Sequence, residues 1–462
     1  MRSINIVFLL ALSLSVGCSK SFLDQEPYVS VPVDNAIKTV EEMGAAMNGV
    51  YASMRNTAAY GRSLPVFGDL LADNAYISAL NSGRYLTQNN YTTTVATAEP
   101  ADTWTALYAI IKNANVVINA DIASAPAVDQ LRGEALTVRA LVLFDLVRYF
   151  AKAYTVDPNS DGVPIVTAFD QSAKLPRNKV SEVYAQILQD LNQAYTLMTV
   201  TKGSAYITKY VARGLQAKVY LYKAEWQNAR DAALDVVNNS GYSIVSAASF
   251  AGYWKNPTPV TTKGETMFEI SMDAANNLGT TSLAYMYEQI GYGDLLCTDN
   301  LYNLYSATDV RRGLIIAGTR SSLPVWIVNK YSNTASTDKD DIKVLRFSEV
   351  VLILAEAYNR LNDDPNATIY LNMLAQKRDP SFGGFATTGA ALLEDIITER
   401  RKELAFEGDR FQDLQRLNRE INRGPQYPAA VQTIAVDNQK RIQPIPQVER
   451  DANPNISQNG GY

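Results

Sequence analysis

The sequence predicts a mostly α-helical protein, a superhelix of helix hairpins with an irregular layer of loops and short strands inserted. Long stretches place apolar residues three and four apart, the period of one buried helix face. Two of these stretches share a spaced set of small and aromatic residues. Between them, Gly241 to Lys343 loses the helix period and fills with Gly, Asn, Thr, Ser and Tyr.

Asn35 to Met54 reads as the first helix, with Ile37, Val40, Met43, Met47, Val50 and Tyr51 at helix spacing. Ala72 to Pro100 is polar and turn-rich, and long loops in compact domains are usually functional or disordered. Trp104 to Asp121 and Val128 to Tyr154 read as an antiparallel helix pair. Val180 to Met198, Lys209 to Ala224 and Trp226 to Asn239 continue the helical pattern. Within them Ala217, Tyr220 and Ala229 hold positions 8, 11 and 20 of the tetratricopeptide (TPR) repeat. Ala355, Tyr358 and Ala367 repeat that spacing. Small residues let two helices approach, and the Tyr fills the groove between them. In the inserted layer Glu265 to Ser271 reads as a short strand. Ile397 to Leu417 is an amphipathic stretch whose opposite charges sit three or four apart, close enough to pair. Its Gly408 suggests a break or a close backbone contact, because glycine in a helix interior costs roughly 1 kcal/mol against alanine. A Pro-rich extended tail closes the chain.

Composition narrows the function classes. The chain has 462 residues, 47% hydrophobic and 19% charged, which is globular. It contains no His, so the commonest general base and metal ligand is missing. Cys18 and Cys297 are the only cysteines. Ile6 to Val16 is an apolar run behind Arg2, too short to span a bilayer, and reads as a signal-peptide core. It ends in Ser15-Val16-Gly17-Cys18, similar to a bacterial lipobox, with Ser15 where Leu is usual. Cleavage there makes Cys18 the lipidated first residue and leaves 41 Lys and Arg against 47 Asp and Glu, a net charge of −6. That charge argues against nucleic acid as the main partner.

The Glu399–Arg416 segment resembles the pattern ERR-x-EL-x-x-EG-x-R-x-x-D-x-x-R of the SusD/RagB family, outer-membrane lipoproteins that capture nutrients for a TonB-dependent transporter. Further motifs agree in order. They are C-x-x-x-FLD-x-x-P at Cys18–Pro27, W-x-x-x-Y-x-x-I at Trp104, GEA-x-x-x-RA-x-x-x-FDLVR-x-F at Gly133, and Gly162-Val163-Pro164. The terminus from Asn453 resembles the family's NPN-x-x-QNPGY, with Gly460 in place of Pro. The resemblance implies a SusD-like fold, a lipid anchor on Cys18, a SusC-like TonB-dependent β-barrel partner, and binding of an oligosaccharide or peptide without catalysis or cofactor. The expected organisation is a signal peptide over 1–17, a helix-hairpin part over 18–240, the irregular layer over 241–343, and a C-terminal part over 344–462 with the second hairpin and tail.

No nucleophile elbow, Walker A loop, HExxH or Cys/His cluster is present. Flat aromatic faces that stack on sugar rings, with amides and charges for hydroxyls, remain. Two places supply them: Asp73, Asn74, Tyr76, Arg84 and Tyr85 in the first loop, and Trp254, Tyr285, Tyr287, Tyr292 and Trp326 in the inserted layer. A peptide would use similar groups. Asp157, Asn159 and Asp161 open like a calcium loop, but Ala168 stands where the bidentate Glu belongs, so a plain turn is the expectation. A carboxylate glycosidase and a purely structural TPR adaptor are the other readings.

Overall fold

The computed structural model describes residues 37–462 apart from 169, 171, 257–262 and 335–338. The expected signal peptide, the lipobox, Cys18 and the Cys18–Pro27 motif lie outside the described residues.

Helix α1 (Val40–Met54) starts on a capping box between Thr39 and Glu42, and buries Met43, Met47, Val50 and Met54. After α2 (Ser63–Leu70), strand β1 (Ala75–Ile77) and one turn, α3 (Leu86–Asn89), the long pair α4 (Ala98–Ile118) and α5 (Pro126–Phe150) forms as expected. Helices α6 (Val180–Leu197), α7 (Lys209–Tyr222) and α8 (Trp226–Asn239) follow. Each packs on the next, and α8 packs on α12 (Phe347–Arg360), which joins the N-terminal helices to the C-terminal ones. Helices α13 (Asp364–Arg378) and α14 (Gly389–Glu403) pack against α12.

The two repeat copies behave alike. Ala217 and Ala229, like Ala355 and Ala367, are fully buried where their helices meet. Tyr358 stacks on Tyr370, ring centroids 5.6 Å apart and 3° from parallel. Seven residues after the first Ala of each copy, the turn passes through a left-handed residue, Ala224 (φ 59°) and Asn362 (φ 61°). The second helix starts two residues later in both. The repeat therefore extends to backbone conformation.

The inserted region builds the second layer. It holds α9 (Ala247–Lys255), β2 (Thr266–Ile270), α10 (Leu283–Tyr287), β3 (Leu295–Cys297), the turn α11 (Asp299–Tyr302), β4 (Ile315–Arg320), β5 (Leu323–Val328) and β6 (Ile342–Arg346). β2 pairs with β6, and a four-stranded sheet runs β1-β3-β5-β4. β1 belongs to the turn-rich loop before α4, so this sheet ties two distant parts of the chain together. β1 pairs Tyr76 with Leu296, and β3 pairs Cys297 with Trp326.

The charged stretch is interrupted where Gly408 stands. α14 ends at Glu403, and α15 (Arg410–Arg416) begins after a tight turn. Gly408 has φ 93°, and a Cβ there would lie 2.8 Å from Pro65 Cα. Its charges are buried and paired. Glu403 accepts from Arg346 at 2.7 Å, Arg378 at 2.8 and 3.0 Å, and Arg311 at 3.1 Å. Arg400 pairs with Asp413 at 2.7 Å and Glu349 at 2.6 Å, and Arg416 holds Glu356 through two bonds of 2.7 Å. Glu265 at the edge of β2 takes Arg346 and Arg378, each at 2.6 Å. The tail adds β7 (Ile421–Asn422), β8 (Thr433–Ile434) and α16 (Gln447–Ala452), with β7 and β8 paired.

Burial pushes the Glu403 carboxyl up, but Arg378, Arg346 and Arg311 outweigh it and hold it well below the usual range. For Asp413 burial acts the same way, and Arg400 and Arg416 bring its pKa to about 2. Depressed carboxylates contribute stability above their unfolded pKa of about 4 and lose it as pH falls through the folded value. Unfolding free energy from urea titrations should therefore decline steadily from about pH 5 toward pH 2. Glu403→Gln leaves buried arginines underpaired and should cost about 3–5 kcal/mol in the same titration at neutral pH.

Candidate functional site

A cavity of about 690 Å³ opens beside the β1-β3-β5 sheet. That is within the usual range for ligand pockets. Its lining comes from four parts of the chain: β1 and the following loop (Tyr76, Ser78, Asn81), α3 and its cap (Leu86, Asn89, Asn90), the sheet (Leu296, Leu323, Val325, Trp326), and the turn at Gln426, Tyr427 and Pro428. Asp299 and Arg320 are the charged lining residues.

The aromatic groups are held rigidly. Trp326 stacks on Tyr302 with ring centroids 3.5 Å apart and planes 16° from parallel. Its indole N–H donates to Asp299 Oδ1 at 2.9 Å. Arg312 lies over Tyr302, 4.7 Å from the ring centroid, and donates to its hydroxyl at 2.9 Å. One indole face is thus backed by protein, and the residue also borders the cavity. Tyr76 meets Tyr427 edge to face at 6.2 Å. Half-burial raises the Tyr76 pKa to about 12, so its hydroxyl stays protonated and can donate.

Two arginines fix the frame. Arg423, just after β7, is fully buried and donates to Leu70 O at 2.8 Å, Ala72 O at 3.0 Å and Asn89 O at 2.8 Å. It also stacks on Tyr427 at 3.7 Å, and the Tyr427 hydroxyl donates to Ala75 O. The tail thereby shapes the loop that carries Tyr76, Asn81 and Asn89. Arg320 fastens the β4–β5 hairpin. It donates to Ser78 Oγ at 3.1 Å, Leu80 O at 2.7 Å, Gln289 Oε1 at 3.0 Å and Tyr292 O. The hairpin turns at Ser321 and Ser322 with φ 50° and 64°, the left-handed pair that a two-residue turn of this hand demands.

Of the ten residues singled out from sequence, Tyr76 and Trp326 border this cavity. Asp73 is buried and grips Arg410 through bonds of 2.8 and 3.0 Å. Burial raises its pKa, but Arg410 and Arg401 outweigh that and leave it lowered. Asn74 donates to Asp69 at 2.8 Å and accepts from Arg401 at 2.9 Å. Tyr85 is buried with its hydroxyl between Arg62 and Ser63. Arg84 stacks on Tyr292, 4.0 Å from its centroid, beside the Arg320 clamp. Trp254 is buried under Lys330 and Lys343, and Tyr287 is buried against Tyr331 and Phe406. Tyr285 borders a separate cavity of about 160 Å³. In the turn considered for calcium, Asp161 pairs with Lys179 at 2.8 Å, and Asp157 accepts from the Asn159 N–H at 3.2 Å. Among the described residues no group of His, Cys, Asp and Glu is arranged to hold a metal ion.

The cavity groups that sequence reasoning missed are Asn81, Asn89, Asn90, Asp299, Arg320, Gln426 and Tyr427. The first three lie in the turn-rich loop that raised the expectation, where amide content was the available signal. Gln426 and Tyr427 sit in the tail and reach the site through pairing that no local pattern reveals.

A superhelix of TPR-like hairpins bearing a small sheet, with an aromatic-lined cavity beside it, defines the class of this protein. The family model described as the SusD family matches residues 319–462, and the model described as starch-binding and associating with the outer membrane matches residues 21–221. A SusD-like protein of Formosa agariphila is 28% identical, covering 90% of this chain and 91% of its own. One of Bacteroides ovatus is 25% identical, over 90% and 82%. A SusD superfamily protein of Bacteroides vulgatus superposes with a TM-score of 0.85 at 28% identity, covering 92% of this chain and all of that one. Another, of Bacteroides thetaiotaomicron, has a TM-score of 0.84 at 28% identity over 91% and all. The chain belongs to the SusD/RagB family.

Replacing Arg423 with Met strips the carbonyls of Leu70, Ala72, Asn89 and Val431 of this partner, at about 1–3 kcal/mol for each left buried and unsatisfied. Hydrogen exchange should then accelerate from Leu70 to Asn90 while α12 and α13 keep wild-type protection.

Proposed function

We propose that the protein is an outer-membrane lipoprotein, anchored through Cys18, that binds a nutrient glycan in the cavity beside Trp326 and passes it intact to a SusC-like TonB-dependent barrel. The carrying observation is the Trp326 platform, a rigid indole backed by Tyr302 and oriented by Asp299 at the wall of a large cavity. Aromatic faces stack on the C–H face of a sugar ring, and Asn81, Asn89, Asn90 and Gln426 offer amides for its hydroxyls. The family model named for starch binding and outer-membrane association supports the ligand class and the location. The helical side offers a broad surface for the barrel, as stacked repeats do for partners.

Binding without cleavage has its own support. Glycosidases work with two carboxyl groups about 5–10 Å apart across the sugar. Asp299 is the one carboxylate bordering this cavity among the described residues, and it is engaged by the Trp326 N–H.

Native mass spectrometry of the chain starting after Cys18, against mixed glycans and peptides, tests the reading. Glycan adducts of unchanged mass are expected, and Trp326→Ala should weaken them about tenfold or more. Peptide adducts alone would move the function to peptide uptake, and shortened glycans would make the protein an enzyme.

A further inference from the structure

The cavity that faces the glycan in this reading has a broad aliphatic border. Ile77, Leu86, Leu296, Leu323, Pro324 and Val325 border it beside the aromatic rings. Two of them stay substantially exposed, Leu323 at 61% and Leu86 at 37%. Leu80 is exposed at 58% and Ile290 at 73%, and Arg320 draws both segments to the hairpin tip through Leu80 O and Gln289. Exposed apolar groups concentrated at one cavity mouth mark a binding surface.

The charged lining is already occupied. Asp299 serves the Trp326 N–H, and Arg320 spends its donors on Ser78, Gln289 and the carbonyls of Leu80 and Tyr292. An anionic sugar would thus meet no cation free of protein partners among the lining residues. A fully hydroxylated neutral sugar would find amides on one side, but would lose water from hydroxyls against aliphatic carbon on the other, which is unfavourable.

We infer that the preferred ligand is a neutral oligosaccharide carrying methyl groups, as O-acetyl, O-methyl or 6-deoxy substituents. Its methyls lie against Leu323, Leu86 and Val325 while the sugar ring stacks on Trp326. This inference rests on the glycan reading above. Each methyl buried there is worth about fourfold in affinity.

The test uses native mass spectrometry with one polysaccharide digest in two forms, untreated and saponified to remove ester groups. Retention of the tightest adducts only in the untreated digest supports O-acyl recognition. Adducts that survive saponification and whose masses contain 6-deoxy or O-methyl sugars support the other methyl sources. In either case Leu323→Ser, at an exposed site that spares the fold, should weaken binding of the methyl-bearing ligand about fourfold more than it weakens binding of unsubstituted sugars. Equal adducts with unsubstituted sugars, insensitive to Leu323→Ser, would overturn the inference and leave the glycan reading standing. No glycan adduct from either digest would overturn both.

Discussion

The structure depends on one buried charge network, built by Glu399 to Arg416. Burying a charge is costly unless opposite charges and hydrogen bonds surround it. Here elements from distant parts of the chain contribute charges. Arg346 from β6, Arg378 from α13, Glu349 and Glu356 from α12, and Lys218 from α7 all meet charges of α14, α15 or the turn between them, and Glu265 from β2 braces Arg346 and Arg378. Such a network adds little net energy over an apolar core of the same volume, but breaking it is expensive. It therefore works as a register device. Helices that would tolerate sliding past one another on apolar faces are held to one arrangement by the charges they must match.

The same stretch carries the layer that holds the cavity. Asp73 grips Arg410, Asn74 takes Arg401, and the next residue begins β1. Asp69 accepts the Phe406 and Gly408 N–H groups at 3.0 and 2.9 Å, which seats the tight turn against α2. From there Arg423 and Arg320 carry rigidity outward to the loop and hairpin that frame the cavity. A preorganised cavity binds without spending affinity on ordering its walls. The charged stretch is the foundation, and the cavity proposed for recognition sits on the layer it supports.

Much of the helical architecture was legible. The 3.6-residue period and the repeated Ala-Tyr-Ala spacing report directly on packing, so α5 to α8 were readable within a few residues, α4 except for its first turn and a half, and α12 to α13 as a helix pair. The strand at Glu265 to Ser271 was readable from its own short run of strand-forming residues, and Gly408 announced the interruption. The cavity was only half legible. Tyr76 and Trp326 were nameable because aromatics in irregular segments are candidates for stacking on a ligand. Tyr85, Trp254 and Tyr287 share that local signature yet are buried, because whether an aromatic faces a cavity or a core is set by distant neighbours such as Arg62 or Tyr331. Arg320 and Tyr427 carry no local mark, since their roles exist only once hairpin, loop and tail have assembled.

The central claim is that one rigid, aromatic-walled cavity beside the sheet captures an intact glycan. A crystal structure of the chain starting after Cys18, grown with the glycan identified by screening, tests it most directly. The account predicts an uncleaved sugar ring stacked on Trp326, with the β4–β5 hairpin and the Arg423 loop unmoved. Sugar bound elsewhere, for example in the smaller cavity beside Tyr285, or a cleaved product beside Asp299, would contradict it.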